Sequence, residues 1–174
     1  MITGSGIRAS TDKNVAAGDL RRAAIAAFAW ALLFGLVSMY WAAGGTIGES
    51  TLSRSIQDMA ERREPAFVVT LWGTGIAKVI GGLVPMALAF GWWNGIPRRF
   101  LYVLCCTGGV LLLLYGLGDM TRAILVMTEV IEVDSTVDRD IARWYLLLWG
   151  PVWLTGGIGF LATAWHYRRS RASA

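Results

Sequence analysis

The apolar residues of this chain fall into four long runs, 23–43, 67–93, 100–127 and 144–166, separated by short connections that hold most of the charge. A helix rising about 1.5 Å per residue needs about 20 residues to cross a hydrocarbon core about 30 Å thick, and every run meets that length. The third is longer than a span requires, which predicts tilt. Pro85 predicts a kink in the second span and Pro151 one in the fourth.

The connections follow their own patterns. Residues 1–22 are polar, contain Gly and Ser, show no periodicity and read as a tail ending at Arg21-Arg22. Between the first two spans, residues 51–63 place Leu52, Ile56 and Met59 on one helical face, which predicts an amphipathic helix along the bilayer surface. Ser50 or Thr51 suits its cap, and Glu64-Pro65 closes it. Asn94-Gly95-Ile96-Pro97 is a turn. Ser135 and Asp138 have the spacing of a loose capping box, so the fourth helix is expected to begin ahead of its apolar part. Residues 168–174 form a short basic tail, leaving 23–167 as one membrane domain.

Composition agrees: 174 residues, 55% hydrophobic and 16% charged, with nine Trp and twenty-one Gly. Water-soluble domains carry about a quarter charged residues. The formal charge of +4 resides in short clusters beside the apolar runs, so it does not point to a nucleic-acid partner. The tails and the 94–99 connection hold Arg8, Lys13, Arg21, Arg22, Arg98, Arg99, Arg168, Arg169 and Arg171 against Asp12 and Asp19. The other connections are dominated by Glu49, Asp58, Glu61, Glu64, Glu129, Glu132, Asp134, Asp138 and Asp140. By the positive-inside rule the fold is an all-α, four-helix transmembrane bundle in a cytoplasmic (inner) membrane, both termini cytoplasmic and the acidic connections outside.

Small residues recur every fourth position at Ala23, Ala27, Ala31 and Gly35, at Gly73, Ala77 and Gly81, and at Thr155, Gly159 and Thr163. Such stripes let helices approach closely in lipid, within one chain, across a homodimer or in a larger membrane complex.

Ionisable residues inside spans supply the candidate site. Lys78 lies roughly 17 Å below the outer end of the second span and Asp119 roughly 12 Å below that of the third. A lone charge at the centre of a membrane costs about 2.5 to 3.5 kcal/mol, so each is expected to face the bundle interior, and a Lys78–Asp119 pair is the simplest solution. Arg122, three residues beyond Asp119, is a second cation on nearly the same face. Tyr40, Trp41, Tyr115, Trp149 and Trp153 suit an interfacial belt or the wall of an outward-facing pocket around these charges. Glu49 follows a glycine-rich turn that allows it to reach Arg122. Either the charges fix helix register, or they line a pocket for a small amphiphile, a lipid headgroup or a proton.

Tyr40-Trp41-Ala42-Ala43-Gly44-Gly45 after the first span, with Trp149-Gly150-Pro151 and Gly156-Gly157 in the fourth, resembles a family of small four-helix bacterial membrane proteins catalogued as a domain of unknown function. The resemblance implies a compact four-span fold and supplies no activity. A histidine often stands in that family at the place of Ser38, so no role of that histidine carries over.

Other chemistry is sparse. His166 is the only histidine and Cys105-Cys106 lie inside an apolar run, so neither haem, zinc nor any other cofactor is expected. No nucleophile, base and orienting group come together. The leading expectation is therefore a non-catalytic membrane protein that binds or passes an amphiphile, followed by an accessory subunit of a larger complex. A membrane enzyme using Asp119 or Glu49 ranks third.

Overall fold

The computed structural model describes residues 4–130 and 138–172, and the side chains of all these except 4–14 and 16. Helix α1 spans Gly4–Ala42, followed by a 3-10 turn at Glu49–Thr51 and helix α2 at Arg54–Glu61. Helices α3, Pro65–Phe90, and α4, Arg98–Met127, come next. Helix α5, Arg139–Trp144, runs through a π-turn at Tyr145–Trp149 into α6, Gly150–Ala172. Four stretches are long and apolar enough to cross a membrane: Ala17–Ala42, Pro65–Phe90, Arg98–Met127 and Arg139–Ala172. Their outward faces carry exposed Leu33, Val69, Leu111, Leu147 and Ile158, an apolar exterior suited to lipid.

Several boundaries differ from the sequence pattern. The polar segment before Arg21 is not an irregular tail, since α1 is continuous from Gly4 and Leu20 is buried. No proline interrupts this stretch, so the helix of the first span continues beyond it. The surface helix is shorter than 51–63 and starts after Ser53, which takes the N-cap position without a side-chain bond. Pro65 begins α3 instead of closing α2, because a first-turn position costs proline no backbone bond. At the other end α3 stops at Phe90, where Gly91 turns left-handed with φ +69°, leaving Trp92 and Trp93 in the connection. The basic segment after 167 continues α6 to Ala172.

Pro151 has an identifiable consequence. It has no N–H for the carbonyl of Leu147, and the preceding turn widens to a π-turn in which Gly150 N–H donates to Tyr145 O. Tyr145, Trp149 and Trp153 then fall on one side, four residues apart.

Helix α1 packs on both α3 and α6, and α4 packs on α6, whereas α3 touches α4 far less. The α1/α3 contact is a backbone approach: a Cβ on Gly75 would stand 3.0 Å from Gly35 O, and one on Gly82 would stand 2.6 Å from Ala31 Cβ. Across α4 and α6, a Cβ on Gly157 would stand 2.8 Å from Gly109 O. The expected stripe on α3 is therefore displaced, since Gly73 and Gly81 face open space and Gly75 and Gly82 make the contact. On α6, Gly159 meets Ala27 and Thr163 is buried, while Thr155 is exposed.

At one end of the helices, Leu20, Leu88, Leu101 and Tyr167 form a buried cluster, so the start of the first span, the 91–97 connection and the end of α6 lie together. At the other, Arg54 of α2 donates to Asp138 at 2.8 Å, tying the 43–64 connection to the start of α5. Asp138 caps α5 by accepting from Ile141 N–H at 2.9 Å. Ser135, its expected capping-box partner, lies outside the described residues, as do Glu132 and Asp134.

The Ile141 N–H first, and then Arg54, hold the Asp138 carboxyl below its ordinary value of 3.8. A lowered folded-state value adds stability that is complete above the unfolded-state value and is lost as pH falls through the folded one. Asp138→Ala is expected to cost about 0.5 to 2 kcal/mol, nearly all from the cap, because the ion pair with Arg54 is solvent-exposed. Thermal unfolding in detergent, followed by circular dichroism, checks both the loss and its pH dependence. The gap between variant and parent should be wider at about pH 7 than at about pH 3.

Candidate functional site

Where α3 and α4 part, the chain encloses a cavity of about 430 Å³. Helix α1 contributes Phe34, Ser38 and Trp41, α3 contributes Thr70, Thr74 and Lys78, and α4 contributes Tyr115 and Asp119. Tyr145, Trp149 and Trp153 complete the wall, and Leu52 and Ile56 reach it from the α2 end. Thr70, Thr74 and Tyr115 are exposed as well as lining the cavity, so its mouth is the gap between α3 and α4.

A second chamber of about 340 Å³ continues along the same cleft, lined by Ala31, Gly81, Gly108, Leu111 and Phe160 among others. Lys78, Tyr115 and Trp153 line both chambers and mark their junction. Apart from Lys78, ionisable groups other than the Tyr115 phenol are absent from the described lining of the second chamber, whereas the first has Ser38, two threonines, two tyrosines and Asp119.

Among the described residues, Lys78 is held without a carboxylate. Its ammonium donates to Ser38 Oγ at 2.7 Å and lies 4.1 Å from the centre of the Phe34 ring, with the Trp153 ring at 5.8 Å. Ser38 in turn donates to Phe34 O at 3.4 Å. The expected Lys78–Asp119 pair does not form. Ion pairs among the described residues join Arg22 to Asp19, Arg54 to Asp138, Arg139 to Glu129 and Arg143 to Asp140. The physical reason is the splay of α3 from α4, which sets the two charges on opposite walls of the cavity. Ring faces and a hydroxyl take part of the ammonium's solvation instead.

The aromatic wall is fixed by its own contacts. Phe34 meets Trp153 edge-on with centroids 4.6 Å apart, and Tyr115 lies 4.7 Å from Trp153. Trp149 is buried, packs on Trp41 and donates through Nε1 to Thr51 Oγ1 at 3.2 Å. Thr51 donates onward to Gly48 O at 2.6 Å, so the 3-10 turn anchors the cavity wall. Trp30 supports the other side of α6, donating to Val152 O at 2.8 Å.

Lys78, Asp119, Tyr115, Trp153, Trp41 and Trp149 thus share one cavity, and three residues singled out with them stand elsewhere. Tyr40 packs its ring on Gly45, where a Cβ would fall within the ring, and its hydroxyl accepts from Ile47 N–H at 3.4 Å. Trp41 donates to Ile47 O at 2.9 Å, and Gly44 and Gly48 have positive φ, so the Tyr-Trp-Ala-Ala-Gly-Gly stretch is built as a tight, ring-stacked loop. Glu49 lines a neighbouring hollow of about 230 Å³ with Glu61 and Arg63, walled off from the main cavity by Trp41, Leu52, Ile56 and Phe67, which line both, and makes no ion pair with Arg122. Arg122 is exposed and does not line the cavity, although it follows Asp119 by three residues on nearly the same helix face and acts on it through space.

Sequence reasoning missed Ser38 as the partner of Lys78, and Phe34, Thr70, Thr74 and Tyr145 as wall. Ser38 and Lys78 are 40 residues apart, so only the Gly35/Gly75 approach of α1 and α3 reveals their contact. Cys105 is buried and donates to Phe160 O at 3.2 Å, and Cys106 is half-buried, with both thiols free.

The fold and the cleft define a class: an all-α protein with four helices long and apolar enough to cross a membrane, parted on one side over a charged and aromatic cavity. Residues 31–160 match the family described as a protein of unknown function, DUF3995, and the chain belongs to that family. Neither a curated protein nor a solved structure matches it.

Proposed function

We propose that this chain is a multi-pass protein of the bacterial inner membrane, with both termini cytoplasmic, that binds or passes a small amphiphile through the cleft between α3 and α4. The observation carrying this reading is Lys78: an ammonium without a counter-charge among the described residues, directed at a cavity that it shares with a second, apolar chamber. Such a cation within a bilayer is unfavourable unless an anion or water completes its shell. An amphiphile supplies both an anionic or polar head for Lys78 and an apolar tail for the chamber beyond. The α3/α4 gap gives it access from the lipid side.

Gentle solubilisation followed by native mass spectrometry tests the reading. A retained amphiphile, or uptake of added single-chain lipid by the stripped protein, is the expected result. A stripped protein that takes up none would remove the proposal. An accessory role in a larger complex is the second reading, favoured by Gly73 and Ala77, which leave an unfilled small-residue face on α3. Purification from mild detergent as a complex with other chains would support it, whereas a lone monomer would count against it.

A further inference from the structure

The charges in the first chamber narrow the ligand class, given the amphiphile-binding reading on which this inference rests. Lys78 and Asp119 face the chamber from different helices, and neither is neutralised by the other. Among the described residues, Lys78 has only a neutral hydroxyl and ring faces as partners. Asp119 is half-buried and makes no hydrogen bond or ion pair with a described residue; Arg122, three residues on, attracts it only through space and from outside the chamber. A purely anionic head would satisfy Lys78 and leave the carboxylate facing a second negative charge. A purely cationic head would satisfy Asp119 and repel Lys78. Only a head with both charges meets both walls.

Their order along the cleft is also informative. Tyr115 lines the chamber junction with Lys78, and Asp119 is one helical turn further toward the α2 end, about 6 Å along the axis. Passing from the second chamber outward, the ligand meets apolar wall, then the Lys78 ammonium against the Phe34 and Trp153 rings, then the Asp119 carboxylate. A phospholipid with an amine-bearing head presents the same order of chain, phosphate and ammonium. The rings of Tyr115, one turn before Asp119 on α4, and of Tyr145 on the same cavity wall suit an alkylated ammonium, which aromatic faces attract.

We propose that the ligand is a zwitterionic single-chain phospholipid, its phosphate on Lys78, its ammonium between Asp119 and the aromatic wall, and its chain in the second chamber.

Titration of the stripped, full-length protein in detergent, read by tryptophan fluorescence, tests this with lipids of one chain length bearing a phosphocholine, a phosphate or a trimethylammonium head. The phosphocholine lipid should bind about tenfold more tightly than either singly charged one. Asp119→Asn should abolish its advantage over the phosphate lipid, and Lys78→Met its advantage over the trimethylammonium lipid. Chain-free glycerophosphocholine should bind far more weakly. Equal binding of the phosphate lipid to the parent protein, or an advantage that survives Asp119→Asn, would overturn the zwitterion assignment while leaving amphiphile binding in place. Equal binding of the chain-free head would overturn the assignment of the chain to the second chamber. Binding of none of the lipids would overturn the amphiphile reading itself. The comparison among lipids uses the unmodified protein, so it holds even where a variant fails to fold.

Discussion

Lys78→Met is expected to weaken amphiphile binding by about tenfold to a hundredfold while leaving the helix assembly folded. The binding loss is that of one charge-assisted hydrogen bond in a partly desolvated cavity. Persistence of the fold follows from what Lys78 touches. Had it been paired with Asp119, its removal would strand a carboxylate and cost about 3 to 5 kcal/mol. Its actual partner is the Ser38 hydroxyl, which still has Phe34 O to donate to. Methionine fills a similar volume against the Phe34 and Trp153 rings and retains a favourable sulfur contact. Stability should therefore stay within about 1 kcal/mol of the parent. Parallel measurements of lipid uptake and thermal unfolding in one detergent decide the matter. Unchanged uptake with a large loss of stability would assign Lys78 to helix register instead.

The second large effect is expected at the α4/α6 contact. A Cβ on Gly157 would stand 2.8 Å from Gly109 O and 2.7 Å from Leu113 Cγ. One of these neighbours is backbone and cannot rotate away, so Gly157→Ala must push the helices apart, at about 1 to 3 kcal/mol. In lipid, packing contacts of this kind carry much of the association between helices, which makes the site sensitive. Gly73 supplies the control, since a Cβ there meets nothing within 4 Å. Gly73→Ala should be neutral, or gain up to about 1 kcal/mol from the better helix propensity of alanine. Thermal midpoints of the two variants in the same detergent check the contrast. Equal midpoints would mean that the α4/α6 backbone approach is looser than the structure has it.

Asp119 and Lys78 show how far the candidate site was legible. Both were identifiable in the sequence because an ionisable residue in an apolar run is costly and needs an explanation. Their relation was not. Depth along two helices limits which residues are level, but not whether the helices touch there. Tyr40 and Arg122 are near the site in sequence and depth, yet Tyr40 packs back on Gly45 and Arg122 is exposed outside the cavity. Ser38, whose small polar side chain gives no signal in the sequence, joins the site because the Gly35/Gly75 contact sets α1 against α3.

The sequence by itself determined that the chain carries four long apolar helices, because bilayer thickness and backbone hydrogen bonding admit little else. Only the tertiary structure decided which small residues let helices touch, that Pro151 is accommodated by a π-turn, and that α3 and α4 part around Lys78. The reason is that helix formation is local and repeats along one chain, whereas rotation and spacing between helices depend on which side chains from distant segments fit. In this protein that fit leaves Lys78 facing a cavity, without a carboxylate among the described residues.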